Sequence, residues 1–587
     1  MSIGGITYKK INGKRYAYYQ WCEDGKQRSR RVKDDELEML VAQIELAKNQ
    51  AVLERSMELS DGRAVYSAQP LSVFKTDVKT GVLLENFAAP VKGFKKRECF
   101  AALHDYVYGA NNDRVLVLYG LRRTGKTTLV RQLIDEMDAA HRAKTAFVQV
   151  NARHTLADVN HDLKLLESQG FKYVFVDEVT QLGDFIEGAA LFSDVFAVGG
   201  MKVVLSGTDS LGFVFSEDEQ LYDRCILLHT TFIPYREFER VLGVVGIDEF
   251  IRYGGTMSMG GTNYNKDAFT FATKKGADDY VDSAIARNIQ HSLKCYQYGG
   301  HFRSLQQLYE RGELTNAINR IVEDINHRFT LDVLTRDFAS NDLKISASNL
   351  RRDRMHPTDA LDKVNAVAVA QEMKRLLEIM DRNECSVNIE DAHRIEIREY
   401  LQMLDMICPI DVVNMASLNQ NAFRTVLAQP GLRYAQSEAL VRGLMMDEAF
   451  QKISIGERNR IIARILDEIR GRMMEEIVLL ETKMARPDRQ IFTLQFPVGE
   501  FDMVVFDSEN ACCEIYEIKH SDKAVPAQCR HLQDKKKCYE TEFRYGKIKG
   551  RYVIYRGKSC CLNDIEYLNV EEYLKGLGRL SLGCLPR

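Results

Sequence analysis

The sequence predicts a multidomain α/β protein whose central domain is a doubly wound parallel sheet, and three observations lead to this fold class. The chain has 587 residues, which is too long for a single hydrophobic core and suggests about three or four domains. Four short apolar runs alternate with stretches of helical patterning, the order that gives parallel strands with helices on both faces. The first apolar run leads into a glycine-rich turn that a helix follows.

Composition narrows the function only slightly. The 80 basic and 83 acidic side chains leave a formal net charge of −3, so any surface for nucleic acid must be local. No segment has the apolar length of a membrane span, and the basic N-terminus lacks the apolar core of a secretory signal. The 13 cysteines include no C-x-x-C pair, which favours reduced, buried thiols over a metal site. We therefore expect a cytoplasmic protein with no membrane contact.

Residues 1–60 carry two hairpin signals, Asn12-Gly13 and Asp24-Gly25. They predict a small β-meander, and a helix is expected from about Asp35. The strands combine basic side chains with tyrosines and a tryptophan, which suits contact with phosphates and stacking on bases. The alternative is a solvated basic face over an aromatic core. Residues 61–96 are expected to form a linker.

The glycine-rich turn "GLRRTGKT", residues 120–127, fits the pattern G-x-x-x-x-G-K-[ST] and lies between a strand (Val115–Tyr119) and a helix. In such a turn, backbone N–H groups surround phosphate oxygens, and the helix N-terminus adds positive potential. Lys126 would reach the β- and γ-phosphates, and the Thr127 hydroxyl would bind Mg²⁺. The residues expected to bind the nucleotide here are Gly120, Arg122, Arg123, Thr124, Gly125, Lys126, Thr127 and Thr128.

A second apolar strand, "KYVFVDEV", ends in two carboxylates, Asp177 and Glu178. Ligands of parallel α/β sheets lie at the carboxyl ends of the strands. Asp177 would hold Mg²⁺, and Glu178 would polarise the water that attacks the γ-phosphate. Two further strands, at residues 144–151 and 202–210, complete the predicted sheet.

Two more residues are candidates for the γ-phosphate. Thr208, or alternatively Ser206, ends the last predicted strand and would lie beside this phosphate. Arg224 is a candidate cation for the charge of the transition state, and the alternative is an ordinary surface arginine.

Several of these stretches resemble a known family, the bacterial and archaeal ATP-binding proteins, an AAA-like, STAND-related branch of the P-loop ATPases. The stretches are "LYGLRRTGKTTLVRQL", "FVDEV", "VLSGTDS", "LLHTTFIPYREFERVLG" and "FIRYGG". The resemblance covers most residues after Phe94, although the G-x-P element usual in STAND proteins is not evident. It implies ATP as the nucleotide, a winged-helix-like segment after the ATPase, and a nuclease-like domain at the end of the chain. We therefore expect the ATPase at 97–300, a helical, winged-helix-like part at 301–425, and a nuclease-like domain at 426–587.

Within the middle part, "FTLDVLTRDFASNDLKISASNLRR" is a candidate helix-turn-helix. The alternative is a lid or adaptor that reads no DNA.

The tail contains "EFDMVVFDSENACCEIYEIKHS", residues 500–521. Strand alternation gives Asp502 and Glu517 places on largely apolar faces, where a carboxylate is costly unless it binds a metal or a partner. Asp502, Glu517 and Lys519 on adjacent strands resemble the PD-(D/E)xK nuclease core. The resemblance implies that the two carboxylates bind Mg²⁺ or Mn²⁺, that Lys519 steadies the water or the phosphate, and that Glu475, or alternatively Glu476, is an additional helix acid.

The function expected from these features is that of an ATP-hydrolysing enzyme that acts, with a metal-dependent nuclease domain, on nucleic acid. DNA is the expected substrate in preference to RNA. The expected context is defence or mobile-element processing. Homo-oligomer formation is compatible with this reading. The alternatives are a STAND-like signalling ATPase whose tail is an inactive binding scaffold, and a purely regulatory nucleotide-binding module. The scaffold alternative pairs the tail carboxylates with Lys519.

Overall fold

The computed structural model describes residues 5–11, 14–23, 26–32, 73–110, 113–208, 221, 223–257, 269–295, 302–338, 366–383, 389–416 and 422–577. The chain divides into two compact units, residues 1–73 and residues 74–587. Within the described ranges, every helix is too short or too polar to cross a membrane.

The first unit contains the predicted meander. Its antiparallel strands are β1 (Gly5–Ile11), β2 (Lys14–Glu23) and β3 (Lys26–Arg31). The helix expected from Asp35 and residues 61–72 of the expected linker lie outside the described residues.

The central sheet has six strands in the order β4-β6-β7-β8-β5-β9. Only β4 is antiparallel to its neighbour; the pairs from β6 to β9 are parallel. Strand β8 therefore lies between the strand that precedes the glycine-rich turn and the strand that ends in Asp177. The strands are β4 (Asp77–Lys79), β5 (Val115–Tyr119), β6 (Thr145–Gln149), β7 (Tyr173–Asp177), β8 (Lys202–Gly207) and β9 (Cys225–His229).

Helices cover both faces of this sheet, which confirms the doubly wound α/β arrangement. Val117 packs in the same core as Leu163, whereas the preceding Leu116 packs on the other face with Leu129. The helices are α1 (Gly81–Ala88), α2 (Phe100–Tyr108), α3 (Lys126–Glu136), α4 (Ala139–Arg142), α5 (Leu156–Ser168) and α6 (Phe185–Gly188).

The structure corrects the expected linker at its C-terminal end. Strand β4 pairs with β6, and Leu84 of α1 is buried in the core beside α3. Residues 77–88 belong to the layers of the central domain because their apolar side chains cover one face of the sheet.

The middle of the chain is helical, as expected. The candidate helix-turn-helix begins at Phe329, within the helix Leu314–Asp332, which continues into a π-helical turn. Residues 339–352 of this candidate lie outside the described residues. The helices are α7 (Tyr235–Leu242), α8 (Ile247–Tyr253), α9 (Lys274–Tyr280), α10 (Arg287–Cys295), α11 (Arg303–Glu310), α12 (Leu314–Asp332), α13 (Ala366–Asn383), α14 (Asp391–Met403) and α15 (Pro430–Leu444).

A second mixed sheet has the order β11-β10-β12-β13-β14-β15-β17-β16. The three strands β12, β13 and β14 are antiparallel, and β15 and β17 continue the sheet in parallel with β14. The strands are β10 (Ile407–Asn414), β11 (Ala422–Leu427), β12 (Gln490–Gln495), β13 (Glu500–Asp507), β14 (Cys512–Lys519), β15 (Lys547–Tyr555), β16 (Cys560–Leu562) and β17 (Ile565–Asn569).

This sheet corrects the expected boundary between residues 425 and 426, which falls inside β11. Strand β10 pairs in parallel with β12, so the β10–β11 hairpin extends the C-terminal sheet. The remaining helices are α16 (Ile455–Ala485), α17 (Lys535–Tyr545) and α18 (Val570–Gly576). The long helix α16 shares one hydrophobic core with α7, α8 and this sheet.

Shorter helical turns complete the described elements. They are the 3-10 turns Ala89–Val91, Val179–Gln181, Glu448–Phe450 and Pro526–Cys529, and the π-helical turns Phe192–Ala197, Val281–Ala286 and Val333–Phe338.

Candidate functional site

The glycine-rich turn adopts a conformation that needs glycine at two positions. Gly120 has φ +141°, and a Cβ there would lie 2.5 Å from Oγ1 of Thr230 and 2.9 Å from the backbone nitrogen of Thr231. Gly125 has φ +91° and precedes the first residue of α3. Arg123 also adopts a left-handed conformation, with φ 64°, which is uncommon for a residue other than glycine.

Lys126 is buried inside this turn. Its Nζ donates hydrogen bonds to the carbonyl oxygens of Gly120, at 2.7 Å, and Leu121, at 3.0 Å. Burial lowers the pKa of Lys126 to about 8, although the carboxylates of Glu178 and Asp177 favour its charged form. A bound anion would favour the charged form further.

Asp177, at the end of β7, and Thr127, in the helix that follows β5, meet as the sequence predicts. They do so although β8 lies between β7 and β5. The Thr127 hydroxyl donates to Oδ2 of Asp177 at 3.1 Å, and the Ser206 hydroxyl donates to Oδ1 at 2.5 Å. A hydroxyl and a carboxylate provide the hard oxygen ligands that Mg²⁺ requires. These two residues therefore fit the ion that accompanies a nucleoside triphosphate.

Glu178 and Thr208 lie beside this pair. The Thr208 hydroxyl donates to Oε2 of Glu178 at 3.2 Å. Glu178 has φ 58°, a left-handed conformation that is costly for its residue type and turns the chain sharply after β7. Ser206, the alternative to Thr208, instead contacts Asp177.

A cavity of about 860 Å³ opens over the turn, within the size range of ligand pockets. Arg122, Arg123 and Thr128 line it together with Glu178 and Thr208. Thr124 does not line the cavity; its hydroxyl is buried and bonds the carbonyl oxygen of Leu121 at 2.9 Å.

Two segments that the sequence analysis did not assign to the site also line this cavity. They are residues 93–97, of which Lys96 is not part of the lining, and residues 241–243. The ring of Phe94 is 58% exposed, and its backbone carbonyl accepts a hydrogen bond from Nε2 of Gln132 at 3.1 Å. An exposed ring held next to the turn offers a surface on which a base can stack.

Arg97, which the sequence analysis also missed, holds the turn in place. Its Nη1 donates to the carbonyl oxygens of Thr124, at 2.7 Å, and Thr230, at 2.8 Å. Its Nε and Nη2 donate to the two carboxylate oxygens of Glu237 at 2.9 and 3.0 Å. Burial opposes the charge of Arg97, but Glu237 outweighs this effect and the pKa of Arg97 is raised. No local pattern indicates this role, because Glu237 lies 140 positions away.

Arg224 is a correction to the expected site. It precedes β9, and its carbonyl accepts a hydrogen bond from the N–H of Val115, at the start of β5. The glycine-rich turn follows the other end of β5, about 15 Å away for a five-residue strand. The Arg224 guanidinium pairs with Asp194 at 3.2 Å, so it does not face the turn of its own chain.

The comparison with known families agrees with this geometry. Residues 112–239 match the family described as an AAA domain. Residues 112–239 are therefore similar to an AAA domain, and this match supports a P-loop ATPase. The match includes the glycine-rich turn, Asp177 and Glu178, and it leaves the C-terminal sheet unassigned.

The remaining comparisons add little. No curated protein matches the chain. Among solved structures, the Orc1 protein of Aeropyrum pernix in complex with DNA is 15% identical. The match covers 62% of this chain and 98% of that chain, and the TM-score of 0.21 is too low to support an argument about this fold.

In the C-terminal sheet, Asp502, Glu517 and Lys519 come together as the sequence predicts. We call these three residues the carboxylate–lysine cluster. The register that places Met503 opposite Tyr516 brings Asp502 and Glu517 to adjacent positions on β13 and β14. The Lys519 ammonium lies 2.7 Å from Oδ2 of Asp502 and 2.6 Å from Oε2 of Glu517.

The two carboxylates of the cluster are deeply buried, with Asp502 5% and Glu517 2% exposed, whereas the Lys519 side chain is 33% exposed. Burial, together with the charge of Asp502, raises the pKa of Glu517 well above its usual range. Burial also opposes the charge of Asp502, but Lys519 and the N–H of Ile518 outweigh it and lower the pKa of Asp502. Among the described residues, Oε1 of Glu517 has no hydrogen-bond partner.

Glu475 and Glu476, the two candidates for the helix acid, point to different surroundings. Oε2 of Glu475 lies 2.6 Å from Nη1 of Arg472 and 3.5 Å from Nη1 of Arg424. Burial raises the pKa of Glu475 to about 7, and the charge of Asp502 contributes. Glu476 instead pairs with the buried Arg433. Glu475 is therefore the acid whose charge interacts with the cluster.

Asp502 and Glu517 fit a hard divalent cation in part. They provide two carboxylates on adjacent strands, and one buried oxygen lacks a partner. No third carboxylate, histidine or cysteine in the described ranges completes such a group. Lys537, missed by the sequence analysis, adds a second lysine, which is buried. Burial lowers its pKa, and the charge of Glu517 opposes this effect.

Proposed function

We propose that the chain hydrolyses ATP in its AAA domain and uses the nucleotide to control metal-dependent cleavage of nucleic acid, with DNA as the preferred substrate, at the carboxylate–lysine cluster. The observation that carries the nuclease proposal is the contact of one lysine with two buried carboxylates, one of which keeps an unpartnered oxygen. Buried carboxylates are costly without a compensating cation.

In the AAA domain, each residue has a separate task. Lys126 neutralises the β- and γ-phosphates, and Thr127 and Asp177 hold Mg²⁺. Glu178 orients the attacking water, and the hydroxyl of Thr208, 3.2 Å from Glu178, links that carboxylate to the end of β8. Arg97 keeps the carbonyl of Thr124 in place, which fixes the turn around the phosphates.

In the C-terminal sheet, Asp502 and Glu517 hold the divalent cation. Such an ion, when bound, activates water and stabilises charge on the scissile phosphate. Lys519, which already contacts both carboxylates, then donates hydrogen bonds to the water or to a phosphate oxygen. The charge of Asp502 helps to raise the pKa of Glu475 to about 7. Glu475 therefore accepts a proton near neutral pH.

Cleavage assays with the full chain test this proposal. Single- and double-stranded DNA and RNA are incubated with Mg²⁺ or Mn²⁺, with and without ATP. We expect Glu517→Gln to abolish cleavage and leave ATP hydrolysis intact, because the two sites lie in different sheets. Glu514→Gln, on the same strand and paired with Arg486, is the control. If the wild-type chain cuts no substrate under any of these conditions, the nuclease proposal is wrong.

A second function is favoured by a different aspect of the same cluster. Lys519 already compensates both carboxylates, and no third ligand is present among the described residues. This arrangement is also expected of an inactive fold that binds a partner under the control of the ATPase. Metal-independent binding of DNA, without cleavage, would support this scaffold function over the nuclease.

A further inference from the structure

A second cavity, of about 390 Å³, lies between the helical middle and the C-terminal sheet. Helices α12, α14, α15 and α16 and strands β10, β11 and β12 line it. We call it the arginine cavity, because its lining includes Arg328, Arg336, Arg398, Arg424, Arg433 and Arg472.

The arginines of the lining outnumber its acids. The lining contains two carboxylates, Asp332 and Glu476, and Glu476 is paired with the buried Arg433. Glu475 contributes one more charge from outside the lining, through Arg472 and Arg424. Glu500 also lies 3.9 Å from Arg472, and Asp324 acts on Arg398. The lining itself holds six arginines and two carboxylates, so the cavity attracts anions.

Two of the six side chains are available for a ligand. Within the described part of the chain, Arg328 and Arg398 take part in no hydrogen bond or ion pair, and Arg398 is half-buried. Burial and the positive charges of Arg328 and Arg394 lower the pKa of Arg398, although Asp324 opposes this effect. An anion placed between Arg328 and Arg398 would relieve this repulsion.

The cavity also has a rigid inner wall. Nη2 of Arg433 donates to the carbonyl oxygen of Thr425 at 3.0 Å, and its guanidinium lies 4.5 Å from the ring centre of Phe329. Its Nε is buried without a hydrogen-bond partner among the described residues. A planar guanidinium held in this way is preorganised for an oxyanion.

We propose that the arginine cavity binds a backbone phosphate of the nucleic-acid strand that reaches the carboxylate–lysine cluster. This inference rests on the proposed function, because Arg472 lines the cavity and also contacts Glu475 beside Asp502. Guanidinium forks match phosphate oxygens. Phe423, 59% exposed at the edge of the cavity, gives a base next to that phosphate a ring on which to stack.

The test separates binding from cleavage. Binding of a labelled single-stranded DNA oligonucleotide to the full chain is measured by fluorescence anisotropy, without divalent ions, over a range of salt concentrations. The variant is Arg328→Glu with Arg398→Glu. Its control, Arg458→Glu with Arg460→Glu, changes the charge equally near the distant start of α16. We expect the variant to lose at least about tenfold in affinity and to have a shallower salt dependence, whereas the control keeps the wild-type values.

A milder variant, Arg328→Gln with Arg398→Gln, is measured in parallel, so that misfolding of the first, detected by circular dichroism, leaves a valid comparison. Equal affinity and salt slope in the wild type and in the folded variants would overturn the inference. Arginine-dependent binding of inorganic phosphate, with unchanged oligonucleotide binding, would overturn the assignment to a strand. A wild-type chain that binds DNA through Arg328 and Arg398 but never cuts it would contradict the proposed function alone.

Discussion

The backbone N–H of Tyr235 donates a hydrogen bond to Oε1 of Glu481 at 2.6 Å. Tyr235 is the first residue of α7, directly after the AAA sheet, and Glu481 lies near the end of α16, which packs on the C-terminal sheet. A second contact, between Asp248 of α8 and His520 after β14, measures 2.8 Å. Polar contacts thus join the helices that follow the ATPase to the elements that carry the carboxylate–lysine cluster.

The first prediction concerns the pH dependence of stability at Glu481. Burial raises its pKa to about 8, above the ordinary value of 4.5, so the folded state holds a proton that the unfolded state releases. The contribution of this group to the free energy of unfolding is therefore fully present below about pH 4.5 and is lost as pH rises toward about 8. Above about pH 8 the group causes no further change. Glu481→Gln should show a smaller fall in the free energy of unfolding between pH 6 and 9, measured by urea denaturation. A wild-type pH profile in this variant would contradict the assignment.

The second prediction concerns Lys126. Replacement by alanine removes the charge that the buried ammonium places in the turn, and we expect ATP hydrolysis to be lost. Turnover is measured by phosphate release. Lys92→Ala, an exposed lysine that precedes the cavity segment 93–97, should keep wild-type turnover. Unchanged hydrolysis in Lys126→Ala would show that the turn is not the nucleotide site.

The third prediction separates the binding and catalytic roles of Glu178. Glu178→Gln keeps the size of the side chain and removes its basicity. We expect MgATP binding to persist and the hydrolysis rate to fall at least about a hundredfold, the usual scale for a lost general base. Calorimetric titration of MgATP accompanies the rate measurement, and a variant that loses binding without a separate rate defect would indicate a structural role.

The fourth prediction concerns the Arg97–Glu237 pair. Arg97→Met leaves the Glu237 carboxylate buried without its partner, which should cost about 3–5 kcal/mol in the free energy of unfolding. Adding Glu237→Met should recover much of this loss, because no buried charge remains. Both values are measured by chemical denaturation. If the double variant is as unstable as the sum of two independent losses, the pair does not act as a unit.

Much of the ATPase site could be predicted from the sequence because its residues sit at fixed positions after strands. Lys126, Asp177 and Glu178 follow from local patterns, and so do Asp502 and Glu517. Other parts could not be predicted, because they depend on contacts between distant segments. Arg97 acts through partners 27 to 140 positions away, and the arginine cavity combines side chains from four helices and three strands. Arg224 was misplaced because the sequence analysis did not identify β9, the strand that follows it. A residue that precedes a parallel strand lies at the edge of the sheet opposite the carboxyl ends, where the ligands bind.

The last prediction tests the metal site without relying on activity. If Asp502 and Glu517 hold a divalent cation, the ion binds the folded chain and not the unfolded chain, and it stabilises the fold by mass action. At a hundredfold excess over its dissociation constant this gain is about 2.7 kcal/mol. We therefore expect Mn²⁺ to raise the thermal unfolding midpoint of the nucleotide-free wild-type chain, and to raise it much less in Glu517→Gln. Glu481→Gln is the matched control, because it replaces another buried glutamate, on α16, and should keep the full response. Mn²⁺ can also reach Asp177 in the AAA domain, but that contribution is the same in all three proteins and cancels in the comparison. An equal response in the wild type and in Glu517→Gln would place the ion elsewhere, and the cluster would then be a lysine-compensated carboxylate pair in a binding scaffold.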